Sequence, residues 1–180
     1  MAHIKVPEGV PGIRSLVMFR PETGKHLYEL AQVLLRNESP LTAAERELIA
    51  THVSNRNECK FCASSHAAAA RELFGAQKEL VDEVIDDVST ASLTPKLKAL
   101  LVIAGKVQQS GSAVTPEDVA EARKHGAVDR DIHDTVLIAA TFSMFNRYVD
   151  GLATLTPTDP KTYEEMGKRM TTLGYVIPNS

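Results

Sequence analysis

The sequence predicts an all-α fold, and three observations carry that reading. Apolar residues recur at helical spacing along most of the 180-residue chain. Helix-start signals open several of these segments: Thr42 with Glu45 three residues on, Thr94-Pro95 and Thr115-Pro116. No segment keeps the strict alternation of a half-buried strand. A chain of this length buries roughly 70% of its unfolded surface, and 43% hydrophobic with 24% charged residues is ordinary for a globular protein. We therefore expect one domain over residues 1–180 with about seven or eight helices. Residues 1–20 are expected to form an irregular arm, and residues 157–180 a tail with a short helix.

Each element has its own warrant. Pro7, Gly9, Pro11 and Gly12 make the start of the chain irregular. Leu27, Leu30, Ala31 and Leu34 set the first helix at about Thr23 to Arg36. In Thr42-Ala43-Ala44-Glu45 the hydroxyl can accept from the Glu45 N–H while the carboxylate reaches back, so a helix starts at Ala43 and carries Glu47. Asn55 and Asn57 interrupt it, and Asn57 can cap the next helix, which stops at Gly75. Val81, Val84, Ile85 and Val88 share one face of a fourth helix. The two Thr-Pro starts open helices that end near Gly111 and Gly126. A long helix from about Asp131 to Asp150 ends at Gly151, and Pro157 and Pro160 separate a tail helix from about Lys161 to Leu173.

Charge and hydropathy narrow the function classes. The net charge of -3 with scattered Lys and Arg disfavours a nucleic-acid partner, which needs a basic patch. The opening MAHIKVPEGVPGI has no apolar core for a signal peptide, and the apolar run from Ala99 to Ala104 is too short for a bilayer. The expected location is the cytoplasm, with no membrane partner. There thiols stay reduced, so two cysteines in Cys-x-x-Cys spacing point to catalysis or metal binding.

Both cysteines fall in Glu58-Cys59-Lys60-Phe61-Cys62-Ala63-Ser64-Ser65-His66. On one helix Cys59, Cys62 and His66 sit at i, i+3 and i+7 and share a face, with Cys59 in the first turn and Cys62 in the second. Free N–H groups and the positive helix end favour thiolate there. The pair can close a disulfide, and His66 can exchange a proton with Cys62 one turn away. Zinc would need about four ligands, from Cys59, Cys62, His66 and either His52 or Glu47. Covalent haem attachment needs a histidine directly after the second cysteine, where Ala63 stands. A thioredoxin-type site needs a preceding strand, and a helix precedes this one. Two core cysteines beside a surface histidine is the plain structural alternative.

Glu47, Cys59, Cys62 and His66 together read Glu-x11-Cys-x-x-Cys-x-x-x-His. This pattern resembles the AhpD-like alkylhydroperoxidases of the carboxymuconolactone decarboxylase superfamily, in their peroxidase-related branch. The similarity extends through SPLTAAERELIATHVSNRNECKFCASSHAAAAR and FNRYVDGL, and more weakly through PGIRSL. It implies an all-helical homo-oligomer, commonly a trimer or hexamer, that reduces hydroperoxides with its thiols and needs no cofactor or metal. It further implies Cys62 as the peroxide-attacking thiol, Cys59 as the resolving thiol, and His66 with Glu47 as a proton relay. A dithiol reductant, in relatives sometimes a lipoyl-bearing partner, would restore the pair. Phe61 departs from the best-known members, which have a histidine before the second cysteine.

Elementary rates say what such a relay contributes. Lowering a thiol pKa of about 8.5 by roughly two units raises its thiolate fraction about 25-fold. Intrinsic nucleophilicity then falls nearly tenfold, so the net gain is only a few-fold. Protonating the departing alkoxide contributes typically about 10²–10⁴. The helix end favours Cys59 as nucleophile, whereas proximity to His66 favours Cys62, because i,i+4 neighbours lie about 6 Å apart and two turns span roughly 10 Å. Proton delivery is the larger factor, and Cys62 is the expected nucleophile. Without the family spacing Glu47 would read as a solvated surface glutamate. Two other functions stay open: a lyase like the lactone decarboxylases, and a non-catalytic metal-binding or scaffold protein. Asn146 resembles a family position near the pocket, and Arg147 is a candidate partner of Asp150. Phe142, Phe145 and Tyr148 read as core or pocket wall, His133 and Asp134 as first-turn residues, and His52 as a partly buried, hydrogen-bonded histidine.

Overall fold

The computed structural model describes residues 2–175; Met1 of the expected arm and residues 176–180 of the expected tail lie outside the described residues. Among the described residues there are nine α-helices and no strand: α1 (Ile13–Phe19), α2 (Pro21–Arg36), α3 (Ala43–Arg56), α4 (Lys60–Phe74), α5 (Glu79–Asp86), α6 (Pro95–Gln109), α7 (Pro116–Lys124), α8 (Asp129–Gly151) and α9 (Pro160–Leu173). Short 3₁₀ turns follow α4 and α6.

The local start signals act as expected. The Glu45 N–H donates to Thr42 Oγ1 at 3.2 Å, and the Thr42 N–H donates to Glu45 Oε2 at 2.8 Å. Thr94 caps α6 and Thr115 caps α7, each followed by proline at the first helical position. Asn55 does not interrupt α3, which runs on to Arg56; Asn57 is its C-cap.

The expected irregular arm contains a helix. Pro7, Gly9, Pro11 and Gly12 all precede α1 and hide it from a compositional reading. Gly12 stands at its start with φ 53° and donates to the Leu155 carbonyl at 2.9 Å. A Cβ there would collide with the Phe61 ring, so only glycine fits this close, left-handed turn. Leu16 and Val17 of α1 are buried.

Helices α3, α6 and α8 form the centre of the main core, with Leu48, Ile49, Leu100, Ile103, Ile138 and Phe142 among its members. Every residue of α3 from Arg46 to Ser54 is buried. A helix enclosed on all sides must bury its polar positions too, and each buried polar group then needs a partner. A second, smaller cluster joins Cys59, Phe61, Cys62, Val149 and Tyr163, and places the motif between α4, the end of α8 and α9. Close approach of α9 to α4 depends on Gly167, where a Cβ would come within 2.8 Å of the Ala68 backbone. Among the described residues no helix is long and apolar enough to cross a membrane.

Candidate active site

The turn between α3 and α4 sets up the cysteines. Glu58 has φ 58°, a left-handed conformation that costs a non-glycine residue. Hydrogen bonds hold it there: Glu58 N–H to Asn55 O at 2.9 Å and Cys59 N–H to Ser54 O at 3.1 Å. A ladder of side chains pins the same turn. Gln108 donates to Asn57 Oδ1 (2.8 Å), Asn57 Nδ2 to Asn146 Oδ1 (2.8 Å), and Asn146 Nδ2 to Ser54 Oγ (3.0 Å). Asn57 therefore serves this ladder and does not cap α4. Asn146 stands beside the motif as a support for its turn.

Cys59 is the N-cap of α4, one position outside the helix, and Cys62 lies in the first turn rather than the second. The first intrahelical bond runs from the Ala63 N–H to the Cys59 carbonyl at 2.8 Å, so the N–H groups of residues 60–62 precede the helical ladder. Both thiols are free and buried, Cys59 at 0% exposure and Cys62 at 5%. The hydrogen bond shared with the Cys62 sulfur holds the Cys59 thiol well above its ordinary range, reinforced by burial and by the charge of Cys62. The Cys62 backbone N–H works weakly the other way, and Asp150 adds to the upward shift. The helix-end field that favours Cys59 in the sequence is thus outweighed at that sulfur.

Glu47, far from being a solvated glutamate, is fully buried and is the hub of the site. Its Oε2 accepts from His66 Nδ1 at 2.7 Å; its Oε1 accepts from Arg36 Nη2 at 2.5 Å and from the Tyr175 hydroxyl at 2.6 Å. Burial pushes its carboxyl up, but the His66 and Arg36 charges and the donated hydrogen bonds outweigh burial and leave it below the ordinary carboxylate range. An ionised carboxylate only accepts, so His66 donates from Nδ1, and Nε2 is the ring nitrogen that Glu47 does not engage. Phe142 packs edge-on against the imidazole at 4.5 Å, and the Tyr175 ring lies nearly parallel to it at 6.1 Å. Arg36 and Tyr175 escape the sequence reading. Arg36 looks like an ordinary basic residue in a last helical turn, and Tyr175 stands beyond the tail helix with no motif around it.

A cavity of about 70 Å³ lies against His66; Ile13, Phe61, Met166, Met170 and Tyr175 make its wall mostly apolar, and Arg14, Ser65 and Arg169 also line it. Phe61 is buried under Gly12 and meets the Tyr163 ring at 6.3 Å, so the residue that replaces a polar one in better-known relatives builds apolar wall. Like that cavity, the larger open grooves beside His52 and between α4 and α9 are lined by neither cysteine and not by Glu47. His52 packs at the α3–α6 contact near Gly105, away from His66's cavity, and among the described residues no group of three or more His, Cys, Asp or Glu is arranged to hold a metal ion. Arg147 donates to the Ser143 carbonyl (2.8 Å) rather than to Asp150. His133 and Arg130 both bond Asp134 at 2.9 Å, at the start of α8.

Residues 21–106, which include the entire motif, match the model of the Carboxymuconolactone decarboxylase family. Two solved structures share the fold with a TM-score of 0.77. One is an uncharacterized peroxidase-related protein with an alkylhydroperoxidase AhpD core from Ralstonia eutropha JMP134, 26% identical over 88% of this chain and 82% of its own. The other is an uncharacterized peroxidase-related protein from Silicibacter sp. TM1040, 29% identical over 86% of this chain and 79% of its own. A protein of unknown function from Agrobacterium tumefaciens, 20% identical over 80% of this chain and 97% of its own, shares the fold with a TM-score of 0.68. No curated protein matches the chain. The matched segment spans the cysteine pair and Glu47, and the all-helical fold is shared along most of the chain, so the chain is similar to the AhpD-like, peroxidase-related proteins of the carboxymuconolactone decarboxylase superfamily.

Proposed function

We propose that the protein is a disulfide-cycling thiol peroxidase. The observation that carries this reading is the pairing of a Cys59–Cys62 sulfur contact with a histidine one turn beyond Cys62, held by a buried, ionised glutamate. Cys62 is the attacking thiol, because it stands one turn from His66 while Cys59 is the more enclosed of the two and has its thiol pushed up. The Cys62 sulfur takes the terminal oxygen of a hydroperoxide, ROOH. The O–O bond breaks, an S–O bond forms, and RO⁻ leaves with the bond's electron pair. His66 supplies the proton that makes ROH, from Nε2 and through a water where needed, while Glu47 orients the ring and stabilises its charge.

The Cys59 sulfur then attacks the Cys62 sulfenic acid. A disulfide forms, and the departing hydroxide takes up the Cys59 proton to leave as water. A dithiol reductant returns two electrons and two protons to the pair. The sum is ROOH plus a dithiol giving ROH, water and a disulfide. The small, mostly apolar cavity beside His66, with Arg14 and Arg169 on its wall, suits the alkyl group of a small organic hydroperoxide.

A free-thiol count before and after one equivalent of organic hydroperoxide, with identification of the product, tests the reading. Loss of both thiols and release of one alcohol per chain is expected. Retention of both thiols, or a lactone decarboxylation product in place of the alcohol chemistry, would sink it.

A further inference from the structure

Tyr175 is gripped from three sides. Its N–H donates to Gln32 Oε1 at 2.7 Å, and the Arg36 guanidinium lies 5.1 Å from its ring centre. Gln32 and Arg36 are one turn apart on α2, so a single helix face receives both the backbone and the ring. Its hydroxyl reaches Glu47 Oε1 at 2.6 Å and stands 3.3 Å from His66 Nδ1. Its ring stacks on the imidazole with a 15° interplanar angle, opposite in style to the edge-on Phe142. The same side chain walls the cavity beside His66.

We propose that Tyr175, two residues beyond α9, is a positioning residue of the proton relay and an integral part of the active site. Its consequence for rate rests on the peroxidase reading above; its geometry does not. A glutamate carboxylate rotates about a soft, two-fold terminal torsion. Two donors on Oε1, Arg36 from α2 and the Tyr175 hydroxyl, fix that plane and so keep Oε2 aimed at His66. The groups facing Glu47 are Arg36 from α2, Arg46 on its own helix, His66 from α4 and Tyr175. Arg36 and Arg46 are already cationic. A neutral phenol adds a strong hydrogen bond without cancelling more of the charge that orients and stabilises the imidazole. Burial, then the Glu47 charge, push the phenol well above its ordinary range, so it remains a donor throughout the working pH range.

Tyr175→Phe keeps the ring and removes the hydroxyl. Two readouts test the proposal. The first is the single-turnover rate of thiol loss with one equivalent of cumene hydroperoxide across pH. The second is the ¹⁵N NMR signature of His66, assigned by its disappearance in His66→Asn. The wild type should show one dominant tautomer with the proton on Nδ1. Tyr175→Phe should slow thiol loss roughly ten-fold, the order expected when one hydrogen bond to a charged group is lost. It should also move the acid limb of the rate profile to higher pH, because Glu47 without that donor takes a proton more readily, and give His66 a mixed tautomer. Gln32→Ala, which frees the backbone of Tyr175 and leaves every relay side chain in place, should shift both readouts in the same direction by less. It decides the matter if Tyr175→Phe does not fold. A wild-type acid limb and a wild-type His66 tautomer in the folded variant would overturn the proposal. If the wild type consumes no hydroperoxide, the peroxidase reading falls while the NMR measurement still decides the role of Tyr175.

Discussion

Cys59 and Cys62 are chemically identical side chains that the fold makes unequal. Cys59 closes the turn, is wholly enclosed, and has its thiol pushed up by the hydrogen bond to its neighbour's sulfur. Cys62 sits on the first turn of α4, one turn from His66. The single-cysteine variants should therefore behave differently. Mixed with one equivalent of hydroperoxide under a sulfenic-acid trap, Cys59→Ser should give one trapped sulfenate at Cys62 and no turnover. Cys62→Ser should consume peroxide at least about 10²-fold more slowly, because its remaining thiol has no proton donor within one helical turn. The reverse pattern would transfer the nucleophile to Cys59 and remove His66 and Glu47 from their assigned roles. Glu58, one residue before the pair, carries the backbone strain that this arrangement requires.

Among the elements, α3 decides most about the site, because it is packed on every side. It carries Glu47 toward α4 and His52 toward α6, and the two polar residues meet opposite environments. Glu47 has three donors. His52 is held down to about 4 by burial first and by the Arg56 charge second, against a smaller opposing backbone hydrogen bond at Leu101. Unfolded, the same imidazole titrates near about 6.5. Between these values the unfolded chain binds the extra proton, so the stability associated with neutral His52 is complete above about pH 6.5 and is lost as the pH falls toward 4. Urea unfolding at several pH values should show wild-type stability declining across that window by up to about 1.4 kcal/mol per pH unit from this residue. The decline should be flatter in His52→Gln. Parallel pH dependences for the two proteins would show that His52 does not titrate with folding.

For the whole molecule, Met18 and Phe19 of α1, Val33 of α2, and Leu137 and Met144 of α8 are between 38% and 55% exposed. Scattered apolar side chains are normal on a surface, but these lie on three helices that pack on one another. We propose that the protein is a homo-oligomer and that these side chains contribute to subunit contact. Light scattering at micromolar concentration should give a multiple of the monomer mass, and Leu137→Glu combined with Met144→Glu should lower it. A monomeric wild type would refute the assembly.

Local signals in the sequence determined the helices and the placement of the cysteine pair at a helix start. The Thr42–Glu45 capping box, the Thr-Pro starts of α6 and α7 and the stop at Gly75 are all completed within a few residues. Hydrogen bonds of that reach are encoded where they form, and so is the Cys-x-x-Cys spacing. The seven-residue α1 was hidden because the prolines and glycines before it dominate its stretch of sequence. Asn57 was misplaced as the cap of α4 because its amide partners lie 51 and 89 residues away. The environment of Glu47 was not legible at all beyond its spacing to the cysteines. Its donors stand 11, 19 and 128 residues away, on three separate parts of the chain. Whether a helical glutamate faces water or three donors depends on what packs around its helix, and only the tertiary structure decided that.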